Sequence, residues 1–219
     1  MAWKPKPGMG DPGANWMAMT KPFDEFMEYI EGRDINRVDR AGFTALDGAI
    51  ANHDPETRYR TASWLLDHGA DPKASWDKEG NVLHILFGQR NLDPVRDAEL
   101  LRRLLDAGAD INKPGGKFGR PLDYLVHRHG RYLVEQHPNP KIDAENRAGG
   151  VFFDIMFSRP DLDLTTRAKR DNASFGACLI YWAKSGLPDT MEDRVRAYLI
   201  AHGEDPDEVL TPMRGEISD

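Results

Sequence analysis

The sequence predicts an all-α fold built from short helix pairs stacked side by side, and three observations point there. The first is an internal repeat. Leu65-Leu66-Asp67-His68-Gly69-Ala70-Asp71 returns as Leu104-Leu105-Asp106-Ala107-Gly108-Ala109-Asp110, 39 residues later. The second is a recurring turn: Gly42, Gly80 and Gly119 step along the chain by 38 and 39 residues. The third is the spacing of apolar residues between these marks, which follows the helical period rather than strict alternation.

Taken in order, Phe23, Phe26, Met27 and Ile30 fall on one helical face and are followed by Gly32 and Asp34-Ile35-Asn36. Asp39-Arg40-Ala41-Gly42 then leads into Thr44-Ala45-Leu46-Asp47, Asp77-Lys78-Glu79-Gly80 into Asn81-Val82-Leu83-His84, and Gly119 into Arg120-Pro121-Leu122-Asp123. Each marks the start of a first helix. Leu65-Leu66 and Leu104-Leu105 end the second helices. Gly69 and Gly108 follow them, where a helix end calls for a left-handed backbone that glycine adopts without steric cost. Val151, Phe152, Ile155, Met156 and Phe157 form a later second helix stopped by Pro160. Ala177, Leu179, Ile180, Trp182 and Ala183 pair with Val195, Tyr198, Leu199 and Ile200, which run into His202-Gly203-Glu204-Asp205. No such helix can bury its apolar stripe alone, so neighbours must stack.

This pattern resembles the ankyrin repeat: a tight turn, a Thr-Pro-Leu-His helix start, a second helix ending in Leu-Leu, then Gly-Ala-Asp. Thr44-Ala45-Leu46-Asp47 and Arg120-Pro121-Leu122-Asp123 are degraded copies of the helix start, and both Gly-Ala-Asp copies are intact. The resemblance implies an ankyrin-repeat solenoid with β-turn or hairpin loops. It also implies that Asp47, His84 and Asp123 brace the turn network by hydrogen bonding rather than forming a catalytic set. Ordinary units of the family run near 33 residues. These are longer, with the excess around Asn52–Arg58 and Arg90–Val95, between the helices of a unit. The expected division is a mobile N-terminal arm at 1–19, a repeat domain at 20–207 made of a cap and about four irregular units with an inserted loop at about 129–149, and an acidic tail at 208–219.

Composition narrows the function. The net charge is −7. The residues after Gly203 contribute −5 of it, through Glu204, Asp205, Asp207, Glu208, Glu216 and Asp219 against Arg214. The body is nearly neutral and lacks the basic excess of a nucleic-acid or anionic-membrane binder. Arg167, Lys169 and Arg170 are offset by Asp161, Asp163 and Asp171. The single cysteine, Cys178, sits in an apolar run and reads as a core residue, with no disulfide framework or Cys-rich zinc site. No apolar run approaches the roughly 18 residues of a membrane helix, and no secretory h-region opens the chain. A cytoplasmic protein is expected. Phosphate-loop, nucleophile-elbow, dinucleotide and zinc-protease motifs are all missing. His127, His129 and His137 lie in a polar stretch where solvent exposure is the ordinary outcome.

The expectation is therefore a non-enzymatic module without metal or cofactor that binds another protein. In the ankyrin family the hairpin tips and the exposed face of the first helix form the usual binding surface. Mapped here, that surface takes Arg40, Phe43, Trp76, Lys78, Glu79, Lys117 and Phe118 from the turns. Asn52, Gln89, His127 and Arg128 come from the first-helix ends. Two readings of Phe43, Trp76 and Phe118 stand open: anchors for a partner, or rings packed on the next turn. By association with small stand-alone members of the family, the particular role expected is an immunity protein that occludes a bacterial toxin or enzyme. A general adaptor or effector comes next, and an enzyme with an unrecognised site third.

Overall fold

The computed structural model describes residues 11–74, 80–115, 119–129, 150–167, 173–184 and 190–210, with backbone alone at 128, 129, 183, 184 and 190. Among these residues the fold is all-α, and the extended pairing is limited to two isolated bridges, Gly115 with Gly119 and Arg167 with Ser174. The single repeat domain expected over 20–207 is divided: the chain forms two compact units, Met1–Pro121 and Leu122–Asp219.

Unit one holds α1 (Ala14–Thr20), α2 (Phe23–Ile30), α3 (Ala45–Ile50), α4 (Pro55–Asp67), α5 (Val82–Phe87) and α6 (Arg96–Asp106). α1 packs on α2 and α3, α3 on α4 and α5, α4 on α2 and α6, and α5 on α6. Three helix pairs thus lie in sequence order, with the first helices in one row and the second helices in another. The core is filled from both rows by Phe26, Leu46, Ile50, Leu65, Leu83, Leu86, Phe87, Leu100, Leu101 and Leu104. Leu105 is buried too, whereas Leu66 is only half-buried.

Local chemistry sets each start and stop. Thr44 and Asp47 close a reciprocal capping box on α3: Asp47 N–H donates to Thr44 Oγ1 at 3.2 Å and Thr44 N–H to Asp47 Oδ2 at 2.8 Å. Asn81 and His84 do the same for α5. Gly69, at φ 85°, ends α4: Ala70 N–H donates to Leu65 C=O at 2.9 Å and Gly69 N–H to Leu66 C=O at 3.2 Å. Gly108 repeats the arrangement with Leu104 and Leu105, both bonds 2.9 Å. These are Schellman ends, with the buried Ala70 and Ala109 supplying the apolar contact. After these ends, and after the ends of other second helices, an aspartate turns the chain by accepting from the N–H two residues on. Asp34, Asp71, Asp110, Asp163 and Asp205 all do so, at 2.8–2.9 Å. The repeat is therefore written into the backbone turns of both units.

The expected arm at 1–19 is corrected over its described part. Residues 14–20 form α1, with Met17 and Ala18 fully buried. The cause lies in α3. Gly48 has no side chain, and a Cβ there would stand 2.0 Å from the Asn15 carbonyl oxygen. That missing methyl lets α1 lie on α3, where Asn52 Nδ2 donates to Ala18 C=O at 3.0 Å and Asn15 Nδ2 to Asp39 at 3.1 Å. The first unit is consequently a full helix pair rather than a one-helix cap. Residues 1–10 lie outside the described residues.

The two lengthened stretches meet at one ion pair. Arg58 on α4 and Asp97 on α6 are both fully buried and face each other through two bonds, Nε to Oδ1 at 2.8 Å and Nη2 to Oδ2 at 2.6 Å. Arg58 also donates to the carbonyls of Asn52 at 2.6 Å and Asn91 at 3.0 Å, while Asp97 accepts from Asp93 N–H at 2.7 Å. What reads in the sequence as surplus length between helices is the collar of this pair.

Unit two holds the rest of α7 (Pro121–His129), α8 (150–157), α9 (Phe175–Lys184), α10 (Thr190–Ala201) and α11 (Pro206–Val209). α9 packs on α10 and α10 on α11. The Tyr198 hydroxyl shares its proton between the carbonyls of Leu162 at 2.7 Å and Arg159 at 2.8 Å. The tail expected from 208 starts too early. Asp205 caps α11, and Val209 is buried. Residues 211–219 and the inserted stretch at 130–149 lie outside the described residues.

Two measurements check these constraints. Asp97→Leu or Arg58→Met alone should each cost about 3–5 kcal/mol in urea melts, because each strands a buried charge, and the double variant should lose clearly less than the two losses added. Additive losses would show that the pair is not coupled. Gly48→Ala should cost about 1–3 kcal/mol and strip hydrogen-exchange protection from residues 14–20 while 96–106 keep theirs. Unchanged protection would show that α1 does not depend on that contact.

Candidate functional site

The structure sorts the expected binding residues by burial. Arg40 is exposed in its turn and Phe43 is half-buried, its N–H donating to Asp39 Oδ1 at 3.0 Å. Asn52 and Gln89 are buried, which corrects their assignment to an open face. Asn52 ties α1 to the α3–α4 linker, and Gln89 Nε2 turns back to Ile85 C=O at 3.3 Å. The physical reason is helix length. α3 and α5 have six residues each; all of α3 is buried, and in α5 only Ile85 is partly open. Such short helices have no solvent face to offer. Trp76, Lys78, Glu79, Lys117, Phe118 and the side chain of Arg128 lie outside the described residues.

His127 has a different surrounding. From α7 its ring lies against Trp182 of α9, with centroids 4.6 Å apart and planes at 59°. Tyr181 meets Trp182 edge-on at 5.4 Å and 77°. Tyr181 is 45% exposed and Trp182 43%, so two large rings of unit two stand open to solvent with an imidazole beside them. Sequence reasoning assigned Trp182 to the buried stripe of its helix and passed over Tyr181. A partial signal was present: the run Phe175-Gly176-Ala177-Cys178-Leu179-Ile180-Tyr181-Trp182 is apolar on every side of a helix, and a helix packed on one face must leave some of it open, though the run does not say which part. Phe175, Leu179 and Ile180 take the core. Cys178, expected in the core, is only partly buried.

The second-helix face of unit one is occupied by ion pairs. Arg60 reaches Asp24 at 3.9 Å, Arg96 reaches Glu56 at 2.7 Å, and Arg103 pairs with Asp67. These exposed pairs add little stability, but they tie α2, α4 and α6 together.

The buried and partly buried titratable groups bond within the scaffold. Asp47 is pushed up by burial, against the bonds from Thr44. Burial also opposes the charge on Asp163, yet the bonds from Thr165 and Thr166 prevail and hold it at about 2. His84 Nδ1 accepts from Asn81 N–H at 3.0 Å, which puts the proton on Nε2, and Nε2–H donates to Gly119 C=O at 3.0 Å. Burial is the main influence on this imidazole and moves it below its ordinary value, the bonds from the turns notwithstanding. Among the described residues no three His, Cys, Asp or Glu side chains gather in a way that could hold a metal ion, and no helix is long and apolar enough to cross a membrane.

The His84 geometry has a pH signature. The unfolded chain takes up a proton near pH 6.5 and the folded chain only at lower pH. Stability is therefore held above about 6.5 and lost as pH falls toward the folded value. Relative to His84→Gln, the wild type should lose up to about 1.4 kcal/mol per pH unit through that window. Urea melts at stepped pH would read it, and parallel slopes would contradict it.

No family model matches the chain, and no curated protein matches it. The structure is similar to the crystal structure of a functionally unknown protein from Leptotrichia buccalis C-1013-b, with a TM-score of 0.60 and 18% sequence identity over 88% of this chain and 96% of that one. At that identity the likeness speaks for the fold alone.

Proposed function

We propose that this chain is a divergent ankyrin-type repeat protein that binds another protein, without catalysis or cofactor, in the cytoplasm. Its particular role would be to inhibit a bacterial toxin or enzyme by occlusion, as an immunity protein does. The observation that carries the binding reading is the open aromatic cluster of Tyr181 and Trp182 beside His127. Large rings half out of water are the usual anchors of protein interfaces, and a scaffold of packed helix pairs presents them at low ordering cost. The ankyrin reading is supported by the ordered packing of helix pairs in unit one, by the capping boxes of α3 and α5 and by the Schellman ends at Gly69 and Gly108.

The test starts from crosslinking and mass spectrometry in the native host to name the partner, followed by titration with that purified partner. Trp182→Ala and Tyr181→Ala should each weaken the complex by about thirtyfold or more, the loss typical of an interface hot spot, with the melting temperature nearly fixed. Unchanged affinity in both variants would remove this surface from the interface. A partner that is a toxin or enzyme and loses its activity in the complex supports inhibition. A partner that keeps its activity would make the chain a scaffold.

A further inference from the structure

A second surface lies in unit one and shares no residue with the aromatic cluster. An open groove of about 580 Å³ runs between the C-terminal ends of α2 and α4. Its wall is apolar, from Met27, Ile30, Ile35 and Trp64, and its rim carries Glu31 and Asp34. The indole of Trp64 is steadied by His68, whose ring stacks on it at 3.9 Å and whose Nδ1–H donates to the Trp64 carbonyl at 2.8 Å.

The charge of the groove is one-sided. Arg33 also lines it, but its guanidinium is held by Asp11 at 3.1 Å and by the Tyr29 carbonyl at 2.8 Å, and it lies 4.1 Å over the Tyr29 ring. Glu31 and Asp34 face no cation among the described residues; Asp34 accepts only the N–H of Asn36, two residues on. An apolar wall under two uncompensated carboxylates suits a cation on a long apolar stem.

The chain itself shows what such a groove takes. Residue 103 stands 39 after Trp64, at the corresponding place of the next helix pair, and it is arginine. Arg103 reaches back from α6 to the Asp67 carboxylate and the Ser63 carbonyl of α4. At that place α4 and α6 are thus bridged by a guanidinium, whereas at the equivalent place between α2 and α4 stands Trp64, in the wall of the open groove. We infer that the α2–α4 groove binds an arginine-bearing extended segment of a partner protein, its guanidinium against Glu31 and Asp34 and its stem on Trp64. Stacking on an indole and bidentate bonding to a carboxylate both favour arginine over lysine.

The probe is a fluorescein-labelled peptide, Gly-Gly-Arg-Leu-Arg-Gly-Gly, titrated against the full chain beside a counterpart with glutamate in place of both arginines. The arginine peptide should bind and the glutamate peptide should not. Affinity should fall about tenfold or more in the double variant Glu31→Gln, Asp34→Asn, and comparably in Trp64→Ala. The amide replacements keep side-chain size and the Asn36 turn, so they remain decisive even where Trp64→Ala disturbs packing. Absent binding, equal binding of both peptides, or unchanged affinity in the double amide variant would overturn the inference. So would binding that shows only after Lys4→Glu and Lys6→Glu, which would assign the groove to the chain's own basic residues. None of these outcomes depends on Trp182, so this inference and the proposed interface fail separately.

Discussion

Unit one turns on the buried pair of Arg58 and Asp97. Taking two charges out of water costs several kcal/mol each, and their attraction offsets this only when the remaining donors and acceptors are satisfied. Here they are: the guanidinium makes four bonds and the carboxylate three. The partners are the linker carbonyls at Asn52 and Asn91 and the linker N–H at Asp93. Those linkers must be long enough to bend inward and supply backbone groups to the pair. The length of the stretches Asn52–Arg58 and Arg90–Val95 is thus tied to a charged core, and shortening either linker would leave the charges unsatisfied.

Legibility in the sequence divides along the range of the interaction. The Leu-Leu-x-x-Gly-Ala-Asp ends and the capping residues at 44, 47, 81 and 84 act within five residues of themselves, and their chemistry is visible in a linear string. α1 is not, because what permits it is a missing side chain at Gly48, 33 residues after Asn15. Without that contact Gly13, the neighbouring prolines and the methionines read as an arm. The burial of Arg58 and Asp97 was likewise out of reach: each is an ordinary charged helix residue until the other is placed against it. At the candidate surface, His127 was legible from its position near a first-helix end. Tyr181 and Trp182 were not, since their helix is apolar all round and the string does not say which side faces water.

Burial also redistributes where this protein can offer a surface. Two first helices of unit one, α3 and α5, are six residues long and nearly sealed, and its second helices are cross-tied by Arg60, Arg96 and Arg103. The groove at the ends of α2 and α4, where no such tie is made, stays open. In unit two, α9 is ten residues long, and its last two described side chains, Tyr181 and Trp182, are exposed. Open surface therefore appears where the repeat pattern lapses, which follows from the pattern itself. Positions that satisfy the repeat are largely taken up by neighbouring pairs, and departures such as Trp64, Tyr181 and Trp182 are left partly open.

Departures of another kind, buried between neighbours, hold the order of the stack. If successive units carried identical residues at equivalent places, one pair could pack against any other and the array could slip or exchange its members. Arg58 and Asp97 are 39 residues apart, equivalent in position and opposite in charge, so the α4 pair meets the α6 pair correctly in one arrangement only. An α4-like helix in place of α6 would set arginine against arginine in a dry interior, at a cost far beyond that of a lost contact. Asn36, bonded across to Gly69 and Asp71 at 2.9 and 2.8 Å, adds a second non-identical match between neighbours. Complementarity at equivalent positions, rather than sameness, is what turns a set of similar helix pairs into a single ordered sequence of them.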